Sequence, residues 1–266
     1  MKKIFNNIKL DISYYFKISF FSFREQVSDF SSVLGWMLLY PFFVWLLAQI
    51  WLRFAPANSS FSYSDLVIYI GITELIIMSH MRMPIIKYAS NQFALSLSRP
   101  RSWLLTQGVE ILGRSTGYRT AFFGLFGVLI PCLTQSTEIF STIPRIFLMM
   151  PIFSIADMLW SLLLANAILI WPRSTYFRLP ISKLFLVLGG VFAPICDWTG
   201  FYQKFALSLP FSDLIFQPAF FILKGKFWNM SGLEWCFRIS IQFIILLLIN
   251  YYGHKIAKKY FQAWGG

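Results

Sequence analysis

From Phe30 to Leu52 the sequence carries no charged residue; Asp29 precedes the stretch and Arg53 follows it. A helix of about 20 apolar residues crosses the hydrocarbon core of a bilayer, so this run is long enough to span. It is not an isolated patch. Charged residues make up 13% of the 266-residue chain, against about 25% in soluble domains. Aromatic residues reach 20%, 30 of them Phe. Such a composition cannot clothe a water-facing globule, and its apolar excess equally excludes disorder. What remains is an all-α integral membrane protein.

Five further spans follow the same logic. The second runs from about Leu66 to Met81 and contains Glu74. The third covers about Trp103 to Leu133, with Glu110, Arg114 and Arg119 in its first half. The fourth lies between Arg145 and Arg173 and holds one charge, Asp157. The fifth begins near Lys183 and breaks at Pro194, and the sixth runs from about Glu234 to Tyr252. Pro41 in the first span predicts a kink, which neighbouring helices make tolerable in a bilayer.

Two segments lie outside the spans. In residues 1–28, Ile4, Phe5, Ile8, Ile12, Tyr15, Phe16 and Phe23 recur at helical spacing, interleaved with Lys2, Lys3, Lys9, Lys17 and Arg24. This reads as an amphipathic helix in the headgroup layer, with an ordinary cytoplasmic lead-in as the alternative. Residues 194–232 form a long connection that is apolar yet punctuated by Pro194, Gly200, Pro210 and Pro218. Re-entrant helices dipping into the membrane from one side account for both properties.

Lys and Arg fall unevenly about these spans, 15 on the side of the termini and 6 on the other. The positive-inside bias predicts cytoplasmic termini and an external re-entrant connection, and an even number of spans requires the same. The net charge of +12 is therefore read as topology. A nucleic-acid partner would need a basic face on a soluble fold.

Catalytic constellations are missing. Gly113-Arg114-Ser115-Thr116-Gly117 matches G-x-S-x-G in letters, but that motif needs a strained strand-to-helix turn and a histidine partner. The histidines, His80 and His254, sit at predicted ends of spans. Cys132, Cys196 and Cys236 are too scattered for a metal site or a disulfide framework. No Gly-rich phosphate loop precedes Gly225-Lys226, so any ATP must be bound by another chain. The polar candidates are intramembrane: Glu74, Asp157, Glu110 and Arg114. A charge at such depth faces the bundle interior, either pairing Glu74 or Asp157 with Arg114 or Arg119, or lining a substrate path.

Three stretches together resemble the membrane subunit of an ABC-2 type (type V exporter-like) ABC transporter. One is the amphipathic N-terminal segment leading into an uncharged span. Another is the run from Asn91 to Trp103 (NQFALSLSRPRSW), similar to the cytoplasmic element that follows the second span in that family. The last is Gly189–Phe216 (GGVFAPICDWTGFYQKFALSLPFSDLIF), which resembles a fifth span breaking at a proline before an extracellular hairpin. Its landmarks are Pro194, Asp197, Trp198 and Pro210.

The resemblance implies one transmembrane domain over residues 1–266 that pairs with a second permease. Each copy would dock a separate ATP-binding subunit, which holds the ATP and Mg, through a coupling helix at 84–102. Gln92, Phe93, Leu95, Arg99, Pro100 and Arg101 would form the coupling contact, with Phe93 and Leu95 inserted in that subunit and Arg99 and Arg101 holding the membrane edge. A plain positive-inside loop is the alternative for this segment. The expected activity is export of a lipid, glycan or hydrophobic small molecule across a bacterial inner membrane. Two other functional classes stand beside it, a membrane-embedded enzyme acting on lipid and an ATP-independent channel or carrier.

Overall fold

The computed structural model describes residues 2–28, 30–54, 61–81, 102–134 and 139–263. Every described element is helical. In chain order they are α1 (Lys2–Ser28), α2 (Phe30–Phe54), α3 (Tyr63–Met81), α4 (Trp103–Thr134) and α5 (Ile139–Ile170). A 3-10 turn at Pro172–Phe177 leads into α6 (Arg178–Leu188), and another at Ile195–Asp197 leads into α7 (Gly200–Ser208). There follow α8 (Pro210–Leu214), α9 (Phe216–Lys224) and α10 (Gly232–Ala263).

Local signals set several of these boundaries. Ser62 and Asp65 form a reciprocal cap at the start of α3. The Asp65 N–H donates to Ser62 Oγ at 3.1 Å, and the Ser62 N–H donates to Asp65 Oδ2 at 3.2 Å. Pro210 opens α8, where a missing N–H costs nothing. Gly225 closes α9 in the left-handed conformation, φ 74°, its N–H donating to the Phe221 carbonyl at 2.8 Å.

By length and composition, two described helices can cross a membrane, Phe140–Ile170 with 31 residues and Gly232–Lys259 with 28. Their apolar surfaces are disposed differently. Most of α5 is enclosed by its neighbours, whereas α10 is buried chiefly along one seam of Trp235, Ile239, Gln242, Leu246, Asn250, Gly253 and Ala257. Leu233, Phe237, Ile244 and Leu248 of α10 face outward.

Helix ends gather at two poles. At one, Lys224 at the end of α9 pairs with Asp65 at the start of α3, 2.7 Å apart. There too Arg145, early in α5, donates to the carbonyls of Ile222 and Leu223 at 3.0 and 3.3 Å. At the other, the Trp103 ring opening α4 stacks on His254 of α10, centroids 5.6 Å apart. Successive long helices α3, α4 and α5 therefore alternate in direction.

Two sequence expectations need correction. The fifth helix does not run from Lys183 to Pro194: α6 ends at Leu188 after 11 residues, about 16 Å at 1.5 Å per residue. Gly189 and Gly190 stop it. A Cβ on Gly189 would lie 2.5 Å from Ile215 Cδ1, and Gly190 has φ 75°. Nor does the last helix stop near Tyr252, since α10 carries on through the basic tail to Ala263. Lys255, on the polar side of that tail, lies 4.3 Å from the Tyr251 ring centroid.

The 194–232 connection is not a solvated loop. Between α7 and the α8–α9 pair the chain bends by 68°. Phe201 and Tyr202 on α7 are exposed, but α9 is buried over Phe216, Gln217, Pro218, Ala219 and Phe220. Gln217 fixes it by two hydrogen bonds to the Trp228 backbone, donating to the carbonyl at 3.1 Å and accepting from the N–H at 2.9 Å.

Candidate functional site

Helical spacing on α4 and α5 brings one polar cluster together inside an apolar bundle. Ser115 and Arg119 are four residues apart on α4, and Ser154 and Asp157 are three apart on α5, so each pair shares a face. Arg119 Nη2 donates to Asp157 Oδ2 and to the Ile76 carbonyl of α3, the latter at 3.4 Å. Its Nη1 donates to Ser115 Oγ at 2.5 Å and Ser154 Oγ at 3.1 Å. Ser115 Oγ donates onward to Asp157 at 2.6 Å. The Phe153 ring lies 5.7 Å from the guanidinium carbon.

Arg119 and Asp157 are each about 1% exposed. Removing two charges from water costs several kcal/mol each, and only close pairing with further hydrogen bonds offsets it. Ser115, Ser154 and the Ile76 carbonyl supply those bonds. Beside the pair lies a pocket of about 10 Å³, measured as space for the centre of a water molecule. That is room for about one water. Its walls come from α3, α4, α5 and α6, and from Leu214 and Ile215 where α8 passes into α9.

Other candidates fall into different settings. Arg114 pairs with Glu110 at 3.0 Å and with Glu25 of α1 at 3.2 Å, joining α1 to α4. Glu74 is buried at 8% exposure on α3 and has no ion-pair partner among the described residues. Of the pairings open to Glu74 and Asp157, the structure forms one, Asp157 with Arg119. Asp197 lies in the 3-10 turn after Pro194, and Trp198 is extended beyond it. Gln203 closes that turn by donating to the carbonyls of Ile195 and Cys196 at 3.2 and 3.0 Å. Gln92, Phe93, Leu95, Arg99, Pro100 and Arg101 lie outside the described residues.

The G-x-S-x-G letters acquire a different meaning. Gly113 and Gly117 sit mid-helix on α4, where α1 crosses it. An added Cβ would lie 2.1 Å from the Ser19 carbonyl oxygen in one case and 2.7 Å from that of Phe23 in the other. Two glycines four apart let helix backbones meet, the small-xxx-small device of membrane helices. Ser115 between them is buried and held by Asp157 and Arg119, on a continuous helix with no elbow.

The sequence matches no protein-family model and no curated protein. Among the described residues no group of three or more His, Cys, Asp and Glu converges as metal ligands.

A second polar contact inside the bundle joins α5 to α10. Asn166 donates to Asn250 Oδ1 at 3.1 Å, and Asn250 donates to the carbonyls of Leu159 and Leu246, each at 2.9 Å. Sequence reasoning passed over Asn166, Asn250 and Ser154, which are uncharged. Their signal was a lone amide or hydroxyl in an otherwise apolar run.

Proposed function

We propose that this chain is the permease subunit of an ABC-2 type transporter, a six-span membrane protein that works as one of a pair. Its ATP, with Mg, is bound by a separate ATP-binding subunit. The observation that carries this reading is the course of the 194–232 connection. It is bent sharply, buried at α9, and turned inward until Leu214 and Ile215 wall the pocket beside Arg119 and Asp157. A re-entrant segment between the fifth and sixth spans is what the resemblance to that family implies, and the bend and burial of this connection support it.

In this reading α2, α3, α4, α5 and α10 span the bilayer, and α6 crosses together with the broken segment that follows it. α1 lies at the cytoplasmic interface, and both termini are cytoplasmic in a bacterial inner membrane. Closure of the ATP-binding subunits is passed to the permease through residues 84–102. α1 passes motion to α4 through the backbone crossing at Gly113 and Gly117, and α4 carries Arg119 towards or away from the inward tip. The cargo is a lipid, glycan or hydrophobic small molecule.

The test is isolation of the tagged full-length chain from its native membrane in mild detergent. A P-loop ATPase should co-purify, and substituting Phe93→Asp should abolish the co-purification while leaving the permease folded. Flux or lipid turnover by the chain alone, with no ATPase present, would overturn the proposal.

A further inference from the structure

The faces of α1 are ordered around its axis. At about 100° per residue, Ser19, Ser22, Phe23 and Gln26 form one line, and it is this line that meets α4. Ser22 is 6% exposed, and Ser19, Phe23 and Gln26 are the residues against Gly113 and Gly117. The packed face is thus made of small and polar groups and backbone. Ile12, Phe16, Phe20 and Val27 spread from about 20° to about 100° round from Ser19. These are 64, 72, 53 and 40% exposed. About 140–160° round from Ser19 lie Arg24 and Lys17, both exposed. The acidic Glu25 lies beyond them and is engaged by Arg114.

We infer that the Ile12–Phe16–Phe20–Val27 stripe is immersed in a bilayer leaflet carrying anionic phospholipid, with Lys17 and Arg24 in contact with its headgroup phosphates. The order of faces decides between occupants. Packing on α4 leaves the Ile12–Phe16–Phe20–Val27 line uncovered, and Lys17 and Arg24 stand on its flank away from α4, between it and Phe21, which is itself 62% exposed. The carboxylate that anionic headgroups would repel is turned to Arg114. An apolar stripe bordered by cations is the arrangement that buries side chains at the acyl boundary while phosphates neutralise the charge. This inference rests on the membrane reading of the chain and is independent of any ATPase partner.

The test uses the full-length chain with Cys132, Cys196 and Cys236 replaced by Ser. A nitroxide is placed in turn at Phe16→Cys, Phe20→Cys, Lys17→Cys and Ser28→Cys. Each protein is put in nanodiscs of equal phosphatidylglycerol and phosphatidylcholine, or of phosphatidylcholine alone. With the anionic lipid, positions 16 and 20 should collide more with oxygen than with a water-soluble nickel chelate, and position 17 should do the reverse. Each cation is worth about a fivefold change in surface binding. Immersion at position 20 should therefore fall several-fold in phosphatidylcholine alone or in K17Q/R24Q, and stay intact in K17R/R24K.

Three results would each overturn the inference. The chelate could reach 16 and 20 as freely as Ser28, or immersion could be the same in both lipids. Dipolar coupling between labels at 20 would instead make the stripe a contact between two copies. Co-purification of an ATPase is scored separately, so failure here and failure of the transporter reading are distinguishable.

Discussion

Gly113 of α4 and Ser19 of α1 meet backbone to backbone: a Cβ at Gly113 would stand 2.1 Å from the Ser19 carbonyl oxygen. No side chain can yield there, so α1 must move if Gly113 gains a methyl group. Gly113→Ala should cost about 1–3 kcal/mol through overpacking. Gly108→Ala is the control, because its Cβ would meet the flexible Met158 Sδ at 3.3 Å, and it should stay within about 0.5 kcal/mol of the parent. Thermal unfolding of the purified chain in detergent separates the two.

The buried pair predicts a non-additive cycle. Arg119→Met or Asp157→Leu alone strands one charge away from water, which costs about 3–5 kcal/mol. The double variant leaves no charge to strand and should recover most of that loss. Equal stability of the single variants and the parent would mean the pair is solvated.

Asp65 sets an acid limit at one pole. Burial pushes its carboxyl up, but the Lys224 ammonium and the Ser62 bonds outweigh burial and hold it below the usual carboxylate range. A lowered value means the ionised form favours the fold. The contribution is complete above about pH 4 and disappears as pH falls through the lowered value. With Lys224 one-third exposed, the link is worth about 0.5–1 kcal/mol. Asp65→Asn should therefore lower thermal stability at pH 7 and leave it unchanged near the bottom of the acid range, in melts across pH.

Tyr69 ties α3 to the break after α6. Its hydroxyl donates to the Gly190 carbonyl at 2.7 Å in a fully buried setting. Tyr69→Phe leaves that carbonyl unpaired, at a cost of about 1–3 kcal/mol. Protease sensitivity between residues 188 and 200 should rise with it, read by limited proteolysis.

Sequence patterning places α2, α3 and α4 within a few residues, because a long apolar run bounded by polar residues leaves the backbone few other ways to satisfy its hydrogen bonds, but it stops α10 eleven residues short of Ala263. α3 and α4 begin and end close to the expected positions although they carry charges, Glu74 in α3 and Glu110, Arg114 and Arg119 in α4. Periodicity could not reveal that α6 stops at Gly189, since the stop depends on Ile215, distant in sequence and close in space. The same holds for the site. Asp157 stood out as a lone charge in an apolar run, but its partner was left open between Arg114 and Arg119. Only the crossing of α4 over α1, which engages Arg114 with Glu25, decides the choice. Gly113 and Gly117 match a catalytic motif in letters only, and their four-residue spacing serves helix contact instead.

The contact line of α10 returns every 11 residues: Trp235 to Leu246 to Ala257, Ile239 to Asn250, and Gln242 to Gly253. Eleven residues in three turns is about 3.67 per turn, slightly more than the 3.6 of a straight α-helix. A heptad seam would draw two helices into a left-handed wrap; this one gives a nearly straight rod with a faint right-handed lean. α10 therefore lies along α5 without wrapping round it, and the Asn166–Asn250 amides fix its height there.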